Sequence, residues 1–308
     1  MIRPEWPAPS VVGMGQIETR GLTRSFGEVR AVDGVDLVVR PGGLTGFVGG
    51  NGAGKTTTMR MVMGVLRPDA GEVLWGDRPM TAADRQRFGY LPEERGLYPK
   101  QKVADQLTYL GRLSGMPLPA ARVAVAEHLE RFGLTDRAGS RVEALSLGNQ
   151  QRVQIIAALL HGPTALVLDE PFSGLDPDAV DAMADVLRDR AASGVPVLFS
   201  SHQLDLVERL CDRLVVLSRG RVVAQGSVEE LRAGGPTRYR LVIGGDAGWV
   251  RDVRGIHVHD VDGPTALLEL VTAGAEQAVL REAVERGAVR EFARVVPPLS
   301  EIYREVTA

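Results

Sequence analysis

Between residues 16 and 233, short runs of β-branched and aliphatic residues alternate with segments whose apolar positions recur at helical spacing. That alternation predicts an α/β domain whose central strands are buried. Residues 44–48 read as a strand that enters a glycine-rich turn and then a helix from about Thr56. Helical spacing marks 103–113, 120–132 and 149–160. In the last of these, Val153, Ile156, Ala157 and Leu160 are expected to line one face, and Gly162-Pro163 to end the helix. Residues 165–168 and 195–199 are short, apolar and bracketed by turn residues, as buried parallel strands are. Residues 214–217 and 221–224, joined through Arg219-Gly220, predict a hairpin.

The pattern breaks at Gly234-Gly235-Pro236 and then changes character. Strand-like 239–243, 256–261 and 266–271 and a helix near 276–286 predict a small α+β domain over 234–308. After Pro297-Pro298-Leu299 an amphipathic turn over 301–306 is expected, with Ser300 as its cap and Glu301 in its first turn. Residues 1–15 carry Pro4, Pro7 and Pro9, lack the apolar run of a signal peptide, and read as a flexible leader. There is no internal repeat or low-complexity tract.

The 308 residues are 44% hydrophobic and 24% charged, ordinary values for a folded protein, and suffice for one large domain and a smaller one. A net charge of −3 gives no global electrostatic footprint for nucleic acid. The single cysteine, Cys211, excludes an intramolecular disulfide and a cysteine metal cluster, and reads as a small buried residue. No apolar run approaches the roughly 20 residues that a membrane helix needs. A membrane role would therefore require a separate chain to cross the bilayer.

Candidate chemistry begins at Gly49-Gly50-Asn51-Gly52-Ala53-Gly54-Lys55-Thr56, which fits G-x-x-x-x-G-K-[ST] between a predicted strand and a predicted helix. A triphosphate must be surrounded by backbone N–H groups, so the loop needs glycines, and the helix N-terminus adds partial positive charge. Lys55 supplies a point charge to the outer phosphates, the Thr56 hydroxyl is placed for Mg²⁺, and Thr57 completes the nucleotide-binding set. The strand over 165–168 ends in Asp169-Glu170, delivered to the sheet edge beside that loop. Asp169 is expected to hold Mg²⁺ through water and Glu170 to orient and polarise the attacking water.

Between these elements lies Leu145-Ser146-Leu147-Gly148-Asn149-Gln150-Gln151-Arg152, which resembles the signature motif of ABC ATPases; Leu147 replaces the usual first glycine and Asn149 the usual Gln. The resemblance covers roughly 16–228. It implies that Ser146, Leu147, Gly148 and Asn149 meet the γ-phosphate of ATP held by the other subunit. It also implies a D-loop at Ser173-Gly174-Leu175-Asp176, a switch histidine at His202, and an adenine-stacking aromatic at Phe26. Glu93 stands in the Q-loop where a Gln usually reaches Mg²⁺. The expected fold is therefore an α/β P-loop NTPase of the ABC ATPase type, with a helical signature subdomain over about 90–162 and a small C-terminal α+β domain.

The implied activity is ATP hydrolysis with Mg²⁺ in a homodimer or ATPase heterodimer. It would be docked on a separate transmembrane permease at the cytoplasmic face of the membrane, with no nucleic acid partner. Leu91 to Tyr98 and the trailing domain are similar to ATPases of bacterial ABC-2-type exporters of the sodium-export or drug-resistance kind. The competing expectations are a soluble ABC ATPase acting on ribosomes or nucleic acid, and a generic P-loop enzyme such as a small-molecule kinase. The former would carry paired cassettes, or long coiled coils or zinc modules, which are not seen; the latter would need a phosphoacceptor site and would not need Ser146-Leu147-Gly148-Asn149 or the Ser173 to Asp176 turn.

Overall fold

The computed structural model describes residues 15–94, 96–233, 237–295 and 299–307. The expected leader (apart from Gly15), Arg95, the Gly234-Gly235-Pro236 break and Pro297-Pro298 lie outside the described residues. The chain forms two compact units that meet in sequence between Ser227 and Val228.

The first unit contains β1 (Ile17–Phe26), β2 (Val29–Val39), β3 (Leu44–Val48), β4 (Ala70–Trp75), β5 (Arg78–Pro79), β6 (Phe88–Leu91), β7 (Ala165–Leu168), β8 (Val197–Ser201), β9 (Arg213–Ser218) and β10 (Arg221–Ser227). They build a six-stranded sheet in the order β10-β9-β3-β8-β7-β6 and a four-stranded sheet in the order β2-β1-β4-β5. The six-stranded sheet is parallel except for β10 on β9. Every residue of β3, β7 and β8 is buried, which explains why these strands are mostly apolar in the sequence. Register then decides what meets at the edge. Val48 pairs with Ser201 and Leu168 with Phe199, so Gly49, Asp169 and His202 leave the sheet together at its carboxyl end.

The four-stranded sheet is antiparallel, and Ile17, Leu22, Val35, Leu37, Val73 and Trp75 turn into one core with Phe47, Met59, Met61 and Val62. An edge-to-face contact of Trp75 with Phe88, centroids 4.8 Å apart, ties the two sheets. Around them lie α1 (Lys55–Val62), α2 (Ala82–Arg85), α3 (Val103–Leu113), α4 (Leu118–Arg131), α5 (Leu147–Leu159), α6 (Pro177–Ala192) and α7 (Leu204–Leu210). α3, α4 and α5 pack on one another, and α5 also packs on β6. This corrects the expectation of a single apolar face on α5. Gln151, Gln154, Ile155, Ala158 and Leu159 are buried as well, because the helix is enclosed by its neighbours, whereas Ala157 is only half-buried.

The second unit contains α8 (Val228–Ala233), β11 (Arg238–Ile243), β12 (Ile256–Asp262), β13 (Thr265–Leu270), α9 (Ala275–Arg286), β14 (Val289–Val295) and α10 (Leu299–Thr307). Its sheet is antiparallel in the order β12-β13-β11-β14. That is the strand order of the β-α-β-β-α-β motif, with the first helix shortened to a 3₁₀ turn over Gly248–Asp252. Leu241, Ile243, Ala266 and Leu268 form its core with Val250, Val279 and Ala283. Arg238 is 2% exposed and ion-pairs with Glu301 at 2.5 Å, which ties α10 to the sheet as a buried guanidinium requires. α10 begins at Leu299, so Ser300 lies inside its first turn and is not its cap. The helix therefore begins two residues earlier than a Ser300 cap would allow. No helix among the described residues is long and apolar enough to cross a membrane.

Candidate functional site

The loop after β3 is shaped by close approach as much as by turning. Gly54 has φ 104°, and a Cβ there would stand 2.5 Å from the Ala31 carbonyl oxygen; a Cβ on Gly49 would stand 2.6 Å from that of Leu217. The loop then opens into α1, whose first residues are Lys55 and Thr56. Lys55 is buried, and its Nζ donates to the Gly49 carbonyl at 2.7 Å and the Gly50 carbonyl at 3.4 Å. Thr56 Oγ1 donates to Glu93 Oε2 at 3.1 Å, so the residue that replaces the usual Gln faces the Thr56 hydroxyl.

Across the cavity, Asp169 is 1% exposed at the end of β7. The Ser200 hydroxyl donates to Asp169 Oδ1 at 2.5 Å and accepts the Glu170 backbone N–H at 2.8 Å. Asp169 Oδ2 is buried and has no hydrogen-bond partner among the described residues. Glu170 adopts φ 49°, a left-handed conformation that costs about 1–2 kcal/mol for a residue with a side chain. Its Oε2 lies 3.0 Å from His202 Nδ1. Phe26, Ala31, Gly50 to Thr57, Glu93, Asp169 and Glu170 line one cavity of about 320 Å³. Phe26 is half exposed there, and the core packing that a strand-end phenylalanine often has is absent.

The remaining sequence-predicted residues form a separate group that does not line this cavity. Ser146 caps α5, accepting the Asn149 N–H at 3.4 Å, and Leu147 beside it is exposed. Gly148 faces the turn of Ser173 to Asp176: a Cβ on it would stand 3.0 Å from the Gly174 carbonyl oxygen. Asp176 caps α6 and pairs with Arg152 at 3.4 Å. Gln151 links the two groups, its Nε2 donating to the Pro171 carbonyl at 3.1 Å. The sequence pattern assigns no site role to Ser200 or Ala31, and Gln151, which lies in the signature segment, meets Pro171 only through the fold. The one available signal was polarity, since Ser200 and Gln151 are buried polar residues in apolar surroundings.

A family model described as ABC transporter matches residues 32–173, and one described as ATP-binding protein DrrA1-3-like, C-terminal domain, matches 226–307. The ABC transporter ATP-binding protein YhaQ of Bacillus subtilis is 41% identical over 285 residues, covering 92% of this chain and 96% of that protein. The chain belongs to the ABC transporter ATP-binding proteins. The Nod factor export ATP-binding protein I of Ralstonia nicotianae is 39% identical over 228 residues, covering 73% of this chain and 71% of that protein. A solved structure of an ATP-binding subunit of an ABC transporter superposes with a TM-score of 0.65 at 31% identity, over 70% of this chain and 92% of that one. This ABC-type ATPase is thus an ATP-binding, ATP-hydrolysing subunit with the P-loop fold that its motifs imply and a DrrA-like domain at its C-terminal end.

Proposed function

We propose that this ABC ATPase powers an exporter, closing as a dimer around ATP while docked on a separate transmembrane partner at the cytoplasmic face of the membrane. The observation that carries the dimer is the division of the site. The cavity gathers Lys55, Thr56, Glu93, Asp169 and Glu170, whereas the Ser146 hydroxyl, the start of α5 and the Ser173 to Asp176 turn sit outside it. A second copy, or a homologous ATPase, would bring those groups to the γ-phosphate, where a hydroxyl donor and a helix N-terminus suit the charge. Export is favoured by the name of the Nod factor relative and by the match of the C-terminal domain to the DrrA-like family.

In this reading the glycine-rich loop gives its N–H groups to the phosphates, Lys55 leaves the Gly49 and Gly50 carbonyls for the outer phosphates, and Phe26 stacks on the base. Thr56, Asp169 and Glu93 fit a divalent cation, because the Thr56 hydroxyl and the Glu93 carboxylate already meet and Asp169 keeps a buried oxygen without a partner. Held by these residues, Mg²⁺ would supply positive charge to the phosphates. Glu170 orients and polarises the attacking water, held by its backbone bond to Ser200, and His202 contacts the γ-phosphate. Catalysis of this kind is positioning plus charge stabilisation, so assembling the site on closure ties chemistry to movement.

Two experiments test the reading. Glu170→Gln should form an ATP-dependent dimer in sedimentation; a variant that stays monomeric at saturating ATP sinks the closure. Vesicles holding the ATPase with its membrane partner should accumulate substrate when ATP is supplied on the ATPase side; movement in the opposite sense sinks export.

A further inference from the structure

Phe26 closes β1 and is half exposed, so its ring would lose rotational freedom on stacking unless something already holds it. Arg24 does so. Its Cζ lies 5.2 Å from the Phe26 ring centroid, within cation–π range. Phe26 lines the nucleotide cavity, and Arg24, which holds its ring, is not among the lining residues, so the guanidinium supports the ring from outside the cavity wall.

The guanidinium is itself fixed. Arg24 Nη1 donates to Asp69 Oδ1 at 2.6 Å and to the Arg67 carbonyl at 3.3 Å, and its buried Nε has no acceptor among the described residues. Asp69 Oδ2 accepts the Ser25 N–H at 2.8 Å, and the Asp69 N–H donates to the Thr23 carbonyl at 2.9 Å. Asp69 therefore grips the three residues that precede Phe26. β1 needs that grip, because its pairing with β2 is irregular at Leu22/Arg24 and Arg24/Ser25.

We infer that Arg24, locked by Asp69, is a positioning residue that presents Phe26 as a one-faced platform for a purine base. A cation on one face draws π density toward itself and leaves the other face better suited to an electron-rich ring. The inference rests on Phe26 being the base platform. An exposed ion pair with no such role would be worth little and would not discriminate between ligands.

The test compares equilibrium binding of ATP with that of inorganic tripolyphosphate, which has no base, to the full chain. Arg24→Gln and Asp69→Asn should each weaken ATP about three- to tenfold and leave tripolyphosphate affinity unchanged. Arg24→Lys, which keeps the cation without the fork, should lose less ATP affinity than Arg24→Gln. In a Phe26→Ala background, Arg24→Gln should add nothing. If ATP and tripolyphosphate weaken together, Arg24 acts on the loop at large and the inference falls. If Phe26→Ala weakens ATP but Arg24→Gln and Asp69→Asn do not, the inference alone falls. If Phe26→Ala leaves ATP binding intact, the base-platform reading falls and takes the inference with it.

Discussion

The Ser200 hydroxyl donates to Asp169 Oδ1 at 2.5 Å, and through the same oxygen it receives the Glu170 N–H at 2.8 Å. One buried hydroxyl thus orients both acidic residues at the end of β7. It leaves Asp169 Oδ2 aimed elsewhere and fixes the backbone of Glu170 in its left-handed conformation.

Ser200→Ala would strand the Asp169 oxygen and the Glu170 N–H together. We expect a loss of about 1–3 kcal/mol in stability, read from urea unfolding, and a fall in turnover in the fraction that stays folded. A variant with unchanged midpoint and unchanged turnover would mean that the hydroxyl orients neither residue.

Glu170→Gln keeps the shape of the side chain and removes its basicity. Turnover should fall by about 10²–10⁴-fold in a phosphate-release assay while a fluorescent ATP analogue still binds. Because His202 Nδ1 lies 3.0 Å from Glu170 Oε2, His202→Ala should also slow turnover. Normal turnover in Glu170→Gln would remove this residue from the water-orienting role.

Lys55→Ala should weaken binding of the same analogue, because in the proposed reading the ammonium now held by the Gly49 and Gly50 carbonyls turns to the phosphates. Unchanged affinity would leave Lys55 with a purely structural part in the loop.

His128 supplies a pH test away from the site. Burial first, and the nearby Arg190 and Arg131 charges, lower its pKa to about 4, against the hydrogen bond from Nδ1 to the Ala124 carbonyl. Below the ordinary value near 6.5 the unfolded chain takes up a proton that the folded chain refuses. The contribution of neutral His128 is therefore fully present above pH 6.5 and is lost as pH falls from 6.5 to 4, by roughly 3 kcal/mol in all. Unfolding free energies measured across that window should fall less steeply in His128→Gln than in the natural chain.

The parts of the site legible in the sequence are those written in consecutive residues. Gly49 to Thr56 carries its own geometry, and the all-buried strands before it and before Asp169 are visible as apolar runs. Ser200 was not legible as a partner of Asp169, because only the parallel register of β7 on β8 places them side by side. β1 was hidden by its register shifts and by Gly21 at φ 58°, which break strict alternation. β14 was hidden because its burial follows a three-residue rhythm and not the two-residue rhythm of a strand with one wet face. α6 has a strong start signal in Asp176-Pro177, but Asp176 is also the last residue of the turn before it, so the sequence alone does not separate turn from helix there.

Mixing two broken copies tests most directly whether two chains complete one nucleotide site. Lys55→Ala spoils the phosphate loop and keeps Ser146; Ser146→Arg spoils the α5 tip and keeps the loop. Each alone should be inactive, and the mixture should recover roughly a quarter of natural turnover when the copies pair at random, because each mixed dimer holds one intact composite site. Full turnover by Ser146→Arg alone, or a silent mixture in which sedimentation shows mixed dimers, would contradict the shared site.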